Sequence, residues 1–277
     1  MDMIYPILVL GGLGFLFAVL LSVATNVFAV EVDPKEEAIL SALPGANCGG
    51  CGYPGCGGLA KAIASGEAPV NACSVGGAES AEKIAGIMGT DAGSTEKQVA
   101  VVLCQGDCEK AKDKYKFQGY QDCRTENVVQ GGSKACKYGC LGCGTCVKAC
   151  EFGAIEIVDG VAVIDKEKCV ACGKCIEACP KNIIELVPYK QEYIVKCSSK
   201  DKGKDVRQTC TIGCIGCQMC VKSCPKEAIT FENNLAKIDY SKCINCSICA
   251  GKCPTKAIFP GMTKKEQKEL EAQKAGN

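Results

Sequence analysis

Residues 134–180 read KACKYGCLGCGTCVKACEFGAIEIVDGVAVIDKEKCVACGKCIEACP, and residues 208–254 read QTCTIGCIGCQMCVKSCPKEAITFENNLAKIDYSKCINCSICAGKCP. The first stretch places cysteines at Cys140, Cys143, Cys146 and Cys150, then at Cys169, Cys172, Cys175 and Cys179, with Pro180 following. The second places them at Cys214, Cys217, Cys220 and Cys224 with Pro225, then at Cys243, Cys246, Cys249 and Cys253 with Pro254. Each lies 74 residues after its counterpart, and so does Cys210 after Cys136. The stretch is an internal duplication.

The repeated run C-x2-C-x2-C-x3-C is the spacing of bacterial ferredoxins, in which three thiolates of one run hold a 4Fe-4S cluster and the fourth reaches the partner cluster. By that crossing rule Cys140, Cys143, Cys146 and Cys179 hold one cluster, and Cys169, Cys172, Cys175 and Cys150 the next. In the second copy the sets are Cys214, Cys217, Cys220 with Cys253, and Cys243, Cys246, Cys249 with Cys224. A proline after the last cysteine stops the short helix from continuing, and only Glu151 departs from that pattern. Disulfides are disfavoured because cysteines three apart in repeated triplets pair poorly. Zinc knuckles use two CxxC pairs rather than triplets with a crossing fourth ligand.

Composition agrees with a metal-organised chain. Among 277 residues there are 26 cysteines, no histidine and no tryptophan, with aromatic residues at 5%. Clusters then replace much of an ordinary core, and folding is expected to depend on their insertion. The formal charge of +1 becomes negative on loading, since four thiolates around a 4Fe-4S core leave about −2 per cluster. No strongly basic domain or stacking platform points to nucleic acid. With no histidine, no P-loop and no isolated cysteine beside a base, the chain reads as a conductor of electrons rather than a converter of substrate.

Residues 4–30 form an apolar run without a charge, long enough to cross a bilayer core of about 30 Å as a helix. A secretory signal competes, with Val27-Phe28-Ala29 as a cleavage site, but only Met1-Asp2-Met3 stands where a positive n-region belongs. The first lysine is Lys35, so the positive-inside rule expects a single-pass anchor in the cell membrane with the bulk of the chain cytoplasmic. That reducing compartment suits the cysteines.

After a short helix expected over 35–43 comes LPGANCGGCGYPGCGG, residues 43–58. Cys48, Cys51 and Cys56, with Cys73 beyond an Ala-rich helix over 59–65, are expected to hold one further cluster in a loop whose glycines let the backbone wrap closely. Gly50, Gly52 and Gly55 satisfy G-x-G-x-x-G, but no strand precedes them, so a dinucleotide site is improbable. The apolar N-terminal run, the ANCGGCGYPGC module and the paired ferredoxin runs together resemble the B subunit of the Rnf complex, the ion-translocating ferredoxin:NAD+ oxidoreductase, in its long multi-cluster form. The resemblance implies reduced ferredoxin and other membrane subunits as partners, with NAD+ reduced on another subunit while Na+ or H+ is pumped. A polyferredoxin of another membrane oxidoreductase or of a hydrogenase is the alternative.

The expected fold class is α+β: a single N-terminal transmembrane helix, a small single-cluster Fe-S domain and two tandem bacterial-type 2×(4Fe-4S) ferredoxin-like units. The boundaries are an anchor at 1–30, a single-cluster domain at 31–90, a linker with extra cysteines at 91–135, unit 1 at 136–190, a connector at 191–210, unit 2 at 211–260 and a polar tail at 261–277. A helix is expected over 79–88, a strand over 99–103, and hairpins around Asp159-Gly160 and residues 232–234. Five clusters are expected and a sixth beside them. For the sixth, a local set of Cys104, Cys108, Cys123 and Cys136 is favoured for its low ordering entropy, against a set from both copies, Cys123, Cys136, Cys197 and Cys210. Lysine-rich segments at 110–116 and 200–204 read as solvated faces that could also attract an acidic ferredoxin.

Overall fold

The computed structural model describes residues 4–27, 33–93 and 96–260. The N-terminal element α1 (Ile4–Val27) is a 24-residue helix with no acidic residue in its first turn and no basic residue in its last. All of its described side chains but the half-buried Ala24 lie exposed, Leu10, Phe15 and Leu21 among them. Side chains are described only for residues 9–25 of it, fewer than the roughly 20 that a crossing takes. Among the described residues no helix is long and apolar enough to cross a membrane.

The next module is helical. In α2 (Pro34–Ala42) Asp33 caps the first turn through Lys35 N and Pro34 supplies a preset φ. It packs on α3 (Gly55–Ala64) and α4 (Gly77–Met88), the latter ended by Gly89 in the left-handed conformation at φ 67°. Ile39, Leu59, Ile63 and Ile84 are fully buried between the three, with Cys56 and Cys73 in the same core.

The duplicated region then alternates short strands with one-turn helices. In order it contains β1 (Gln98–Val102), α5 (Cys123–Val128), α6 (Thr145–Ala149), β2 (Ile155–Val158), β3 (Val161–Ile164), α7 (Lys174–Ala178), β4 (Ile184–Pro188) and β5 (Tyr193–Val195). There follow α8 (Gly203–Thr209), α9 (Met219–Ser223), β6 (Ile229–Glu232), β7 (Leu235–Ile238), α10 (Ile248–Lys252) and β8 (Ile258–Pro260). The expected hairpins are β2–β3 and β6–β7. Their turns, Asp159-Gly160 and Asn233-Asn234, take positive φ at both central residues, as a two-residue turn requires to match strand twist. The expected polar tail lies outside the described residues.

Each unit is closed by a strand that precedes it in the chain. β1 pairs antiparallel with β4, Val102 opposite Ile184, and β5 pairs antiparallel with β8, Val195 opposite Ile258. Unit 1 buries Val99, Ile155, Ile164, Ile184 and Val187, while the smaller core of unit 2 buries Val195, Ile229 and Ile238. The two units are joined. Ile194 of β5 is buried in the core of unit 1, and the Tyr240 hydroxyl donates to Glu185 of β4 at 2.9 Å.

Candidate metal centres

In all four ligand runs the backbone does the same unusual thing twice. The residue just before the second cysteine is left-handed, at Gly142, Ala171, Gly216 and Asn245, and so is the residue just after it, at Gly144, Gly173, Gln218 and Ser247. Two left-handed residues bend the chain sharply around the second cysteine, the kind of turn that can form a concave backbone site for an anionic guest. The third cysteine is the second residue of a five-residue helix, and the fourth, Cys150, Cys179, Cys224 or Cys253, ends it in extended conformation. That reversal aims the fourth sulfur away from its own run.

Three cavities are each lined by four cysteines. Cys214, Cys217, Cys220 and Cys253 line one of about 370 Å³. Cys224, Cys243, Cys246 and Cys249 line another of about 370 Å³. Cys150, Cys169, Cys172 and Cys175 line one of about 330 Å³. These are three of the sets expected from the crossing rule. In the remaining set, burial pushes Cys146 up to about 12, with Cys140, Cys123, Cys179 and Cys175 further opposing its ionisation. Cys143 is turned so that its thiol donates to Glu126 Oε2 at 2.7 Å. In the N-terminal module burial raises Cys73, against N–H groups of Gly76 and Val75, with Cys56 and Cys51 adding to the rise. Asn47 Oδ1 accepts from Cys56 N at 2.8 Å and so holds the loop in place.

Burial pushes Cys140 and Cys220 up to about 11, Cys175 to about 12 and Cys249 to about 11. Sulfurs also accept N–H bonds, from Ala100 to Cys169 at 3.4 Å, Ala228 to Cys224 at 3.3 Å and Ala257 to Cys253 at 3.3 Å. One donor is a side chain: Gln191 Nε2 reaches Cys243 Sγ at 3.4 Å. Glu151, standing where the motif has proline, forms an ion pair with Lys174 at the start of α7.

The six cysteines outside the motifs are arranged differently from either expected set. Cys104, Cys136, Cys197 and Cys210 line a single cavity of about 430 Å³. Cys108 is exposed, and Cys123 stands beside Cys143 and Cys146. Neither the local set nor the strict 74-residue set is gathered. The cause is residues 110–114, which pair with both copies at once: Lys112 N donates to Thr209 O and Ala135 N to Lys112 O, while Thr211 N donates to Lys110 O. Two lysines of this segment are thereby engaged locally, Lys110 with Asp107 at 2.7 Å and Lys114 with the Gln130 carbonyl at 2.9 Å.

All 26 cysteines are free thiols. Among the described residues no three Cys, His, Asp or Glu side chains are gathered closely enough for a single metal ion. Zinc at about 2.3 Å from each sulfur would draw the four together; a cubane puts one thiolate on each of four corner irons and suits the wider spacing around these cavities.

The comparisons with known proteins agree. A family described as "Putative Fe-S cluster" matches residues 43–75, and the 4Fe-4S dicluster domain matches residues 139–183 and 213–257. The B subunit of the Na(+)-translocating ferredoxin:NAD(+) oxidoreductase complex of Acetobacterium woodii is 52% identical over 86% of this chain and 72% of its own length. The corresponding B subunit of the proton-translocating ferredoxin:NAD(+) oxidoreductase complex of Clostridium ljungdahlii is 48% identical over 83% of this chain and 81% of its own. That of the ion-translocating oxidoreductase complex of Methanosarcina acetivorans is 44% identical over 87% and 91%. With Fe-S and dicluster domains at the cysteine runs that the geometry singles out, this chain belongs to the B-subunit family of the ion-translocating ferredoxin:NAD+ oxidoreductase complexes, as an iron-sulfur electron-transfer subunit.

Proposed function

We propose that this chain takes electrons from reduced ferredoxin and relays them singly through 4Fe-4S clusters to other subunits of a membrane-bound, ion-translocating ferredoxin:NAD+ oxidoreductase. Five clusters sit on the twenty motif cysteines: Cys48, Cys51, Cys56 and Cys73 in the N-terminal module, and the four crossing sets in the ferredoxin units. NAD+ is reduced on another subunit.

The observation that carries this reading is the contact between successive cysteine sets, from the N-terminal module into unit 1 and across unit 1. Gly50 of the N-terminal loop lies so close to unit 1 that a Cβ there would stand 2.5 Å from Cys172 O. Within unit 1 the Cys146 thiol of the first set feels Cys175 of the second. Such succession is what single-electron transfer needs and what a substrate pocket does not.

The apolar helix α1 is the anchor in this reading, with Lys35 and the cluster-bearing region on the cytoplasmic side. Its exposed Leu10, Phe15 and Leu21 support burial in lipid. Purification from native membranes tests the whole proposal. The chain should come down with other subunits, and the preparation should reduce NAD+ with reduced ferredoxin as donor. A chain that partitions into the soluble fraction, or a preparation that reduces NAD+ equally well without it, would overturn the reading.

A further inference from the structure

Cys104, Cys136, Cys197 and Cys210 lie outside every region matched by the Fe-S and dicluster families. They line one cavity, as the motif cysteines line the three described above. Their origin is symmetric. Cys104 follows the end of β1 by two residues, and Cys197 follows the end of β5 by two. Cys136 precedes the first ligand run of unit 1 by four residues, and Cys210 precedes that of unit 2 by four. Each copy therefore supplies two cysteines from equivalent places.

The spacing hides this symmetry. Cys104 and Cys136 are 32 residues apart and Cys197 and Cys210 are 13 apart, so the first copy carries 19 extra residues between its two cysteines. Cys108 and Cys123 fall inside that longer segment. The longer segment also contains 110–114, the piece of chain that pairs with both copies and sets Cys136 and Cys210 on one cavity. Ser198 Oγ donates to Leu103 O at 2.9 Å and fixes the other two cysteines relative to each other.

The surroundings suit an anionic cluster. Lys134 is buried at 4% exposure and lines the cavity. Its ammonium donates to Gly106 O at 2.6 Å and Gly160 O at 3.1 Å. Lys196 lines the same cavity. The site also touches a cluster set on either side. Cys140 N donates to Cys104 Sγ at 3.4 Å, and the backbone of Cys214 hydrogen-bonds Cys197.

We infer that Cys104, Cys136, Cys197 and Cys210 hold a sixth 4Fe-4S cluster, built jointly by the two repeats, which carries electrons between unit 1 and unit 2. Assembly brings a 4Fe-4S core onto four thiols; four S–H bonds break, four Fe–S bonds form and four protons leave, with no change in electron count. The ligand assignment stands on the geometry, and its role as a bridge rests on the relay proposed above.

Iron stoichiometry on the full chain purified anaerobically tests it. C197A/C210A and C104A/C136A should each lose about four irons, and the quadruple variant no more than either pair, given four irons per cubane. C108A and C123A should lose none. Failure of the five-cluster reading would show separately, as wild-type iron well below about 20 per chain. Should a variant shed all its iron by unfolding, alkylation of the native wild-type protein decides: Cys108 labels, while Cys104, Cys136, Cys197 and Cys210 stay protected until iron is removed. Iron loss from C108A, retention of all iron in C197A/C210A, or labelling of Cys197 as fast as Cys108 would overturn the assignment.

Discussion

Ala111 pairs with Cys210 as an isolated antiparallel bridge, and two residues on Asp113 pairs with Lys134 in the same way. One short segment thus acts as an edge strand to both halves of the duplication. The energetic weight falls on a few backbone bonds, each contributing about 1 kcal/mol net.

Lys112→Pro removes the N–H that donates to Thr209 O at 2.9 Å and should cost about 3 kcal/mol or less. The expected outcome is loosening between the halves with each unit intact. Limited proteolysis should cut within 196–210 sooner than in wild type, and Cys210 should become reactive to alkylation. Unchanged cleavage would remove the segment from its clamping role.

Gly142→Ala is expected to disable the first cluster set of unit 1. Gly142 has φ 79°, and a Cβ there would stand 2.6 Å from Gly160 O, a backbone atom that cannot step aside. The left-handed conformation alone costs about 1–2 kcal/mol for a residue with a Cβ. The variant should lose about four irons, whereas Gly57→Ala, where nothing lies within 4 Å, should lose none.

Two side chains are expected to move cluster potentials in opposite directions. Burial works to raise the Glu126 carboxyl, but hydrogen bonds from Cys143 and Ser133 hold it below the ordinary carboxylate range while Cys143 keeps its proton; once Cys143 binds iron the Ser133 N–H still donates to it at 2.8 Å, and the carboxylate presents a negative charge to the Cys143 set. Glu126→Gln should make that cluster easier to reduce by on the order of 1 kcal/mol, about 40–60 mV for one electron. Gln191 donates to Cys243 Sγ at 3.4 Å, and hydrogen bonds to sulfur favour the reduced cluster. Gln191→Leu should make that cluster harder to reduce. Redox titration followed by electron paramagnetic resonance reads both.

Cluster retention should depend on pH with a definite sign. Thiols such as Cys175 and Cys197, pushed up to about 12 mainly by burial, hold their protons below that value whenever iron is absent. Iron must displace those protons, so retention strengthens as pH rises and weakens as pH falls. Loss of visible absorbance to a chelator should be faster at about pH 6 than at about pH 8.5, the ordinary thiol value. A faster loss at the higher pH would contradict the protonated-thiol account.

What the sequence disclosed about this molecule was what is local. Three ligands within nine residues announce a cluster loop, and Asp159-Gly160 announces a hairpin, because each is decided by neighbours in the chain. The left-handed Gln218 and Ser247 gave no such signal, since neither residue type is chosen for that conformation. The gathering of Cys104 with Cys197 and Cys136 with Cys210 was hidden because the two pairs follow different sequence offsets around the 19-residue excess. Either offset alone leads to a wrong set. Nor could spacing foresee Tyr240 reaching Glu185, a contact made only once β4 and unit 2 are side by side.

The relay is tested most directly by anaerobic titration of the full, cluster-loaded chain with reduced ferredoxin, counting electrons taken up per chain. The account predicts uptake in successive one-electron steps, about one per cluster, with resonance signals broadened by coupling between neighbouring reduced clusters. No uptake from ferredoxin, or uptake by one isolated centre while the others stay oxidised after reaching equilibrium with a stronger reductant, would contradict it.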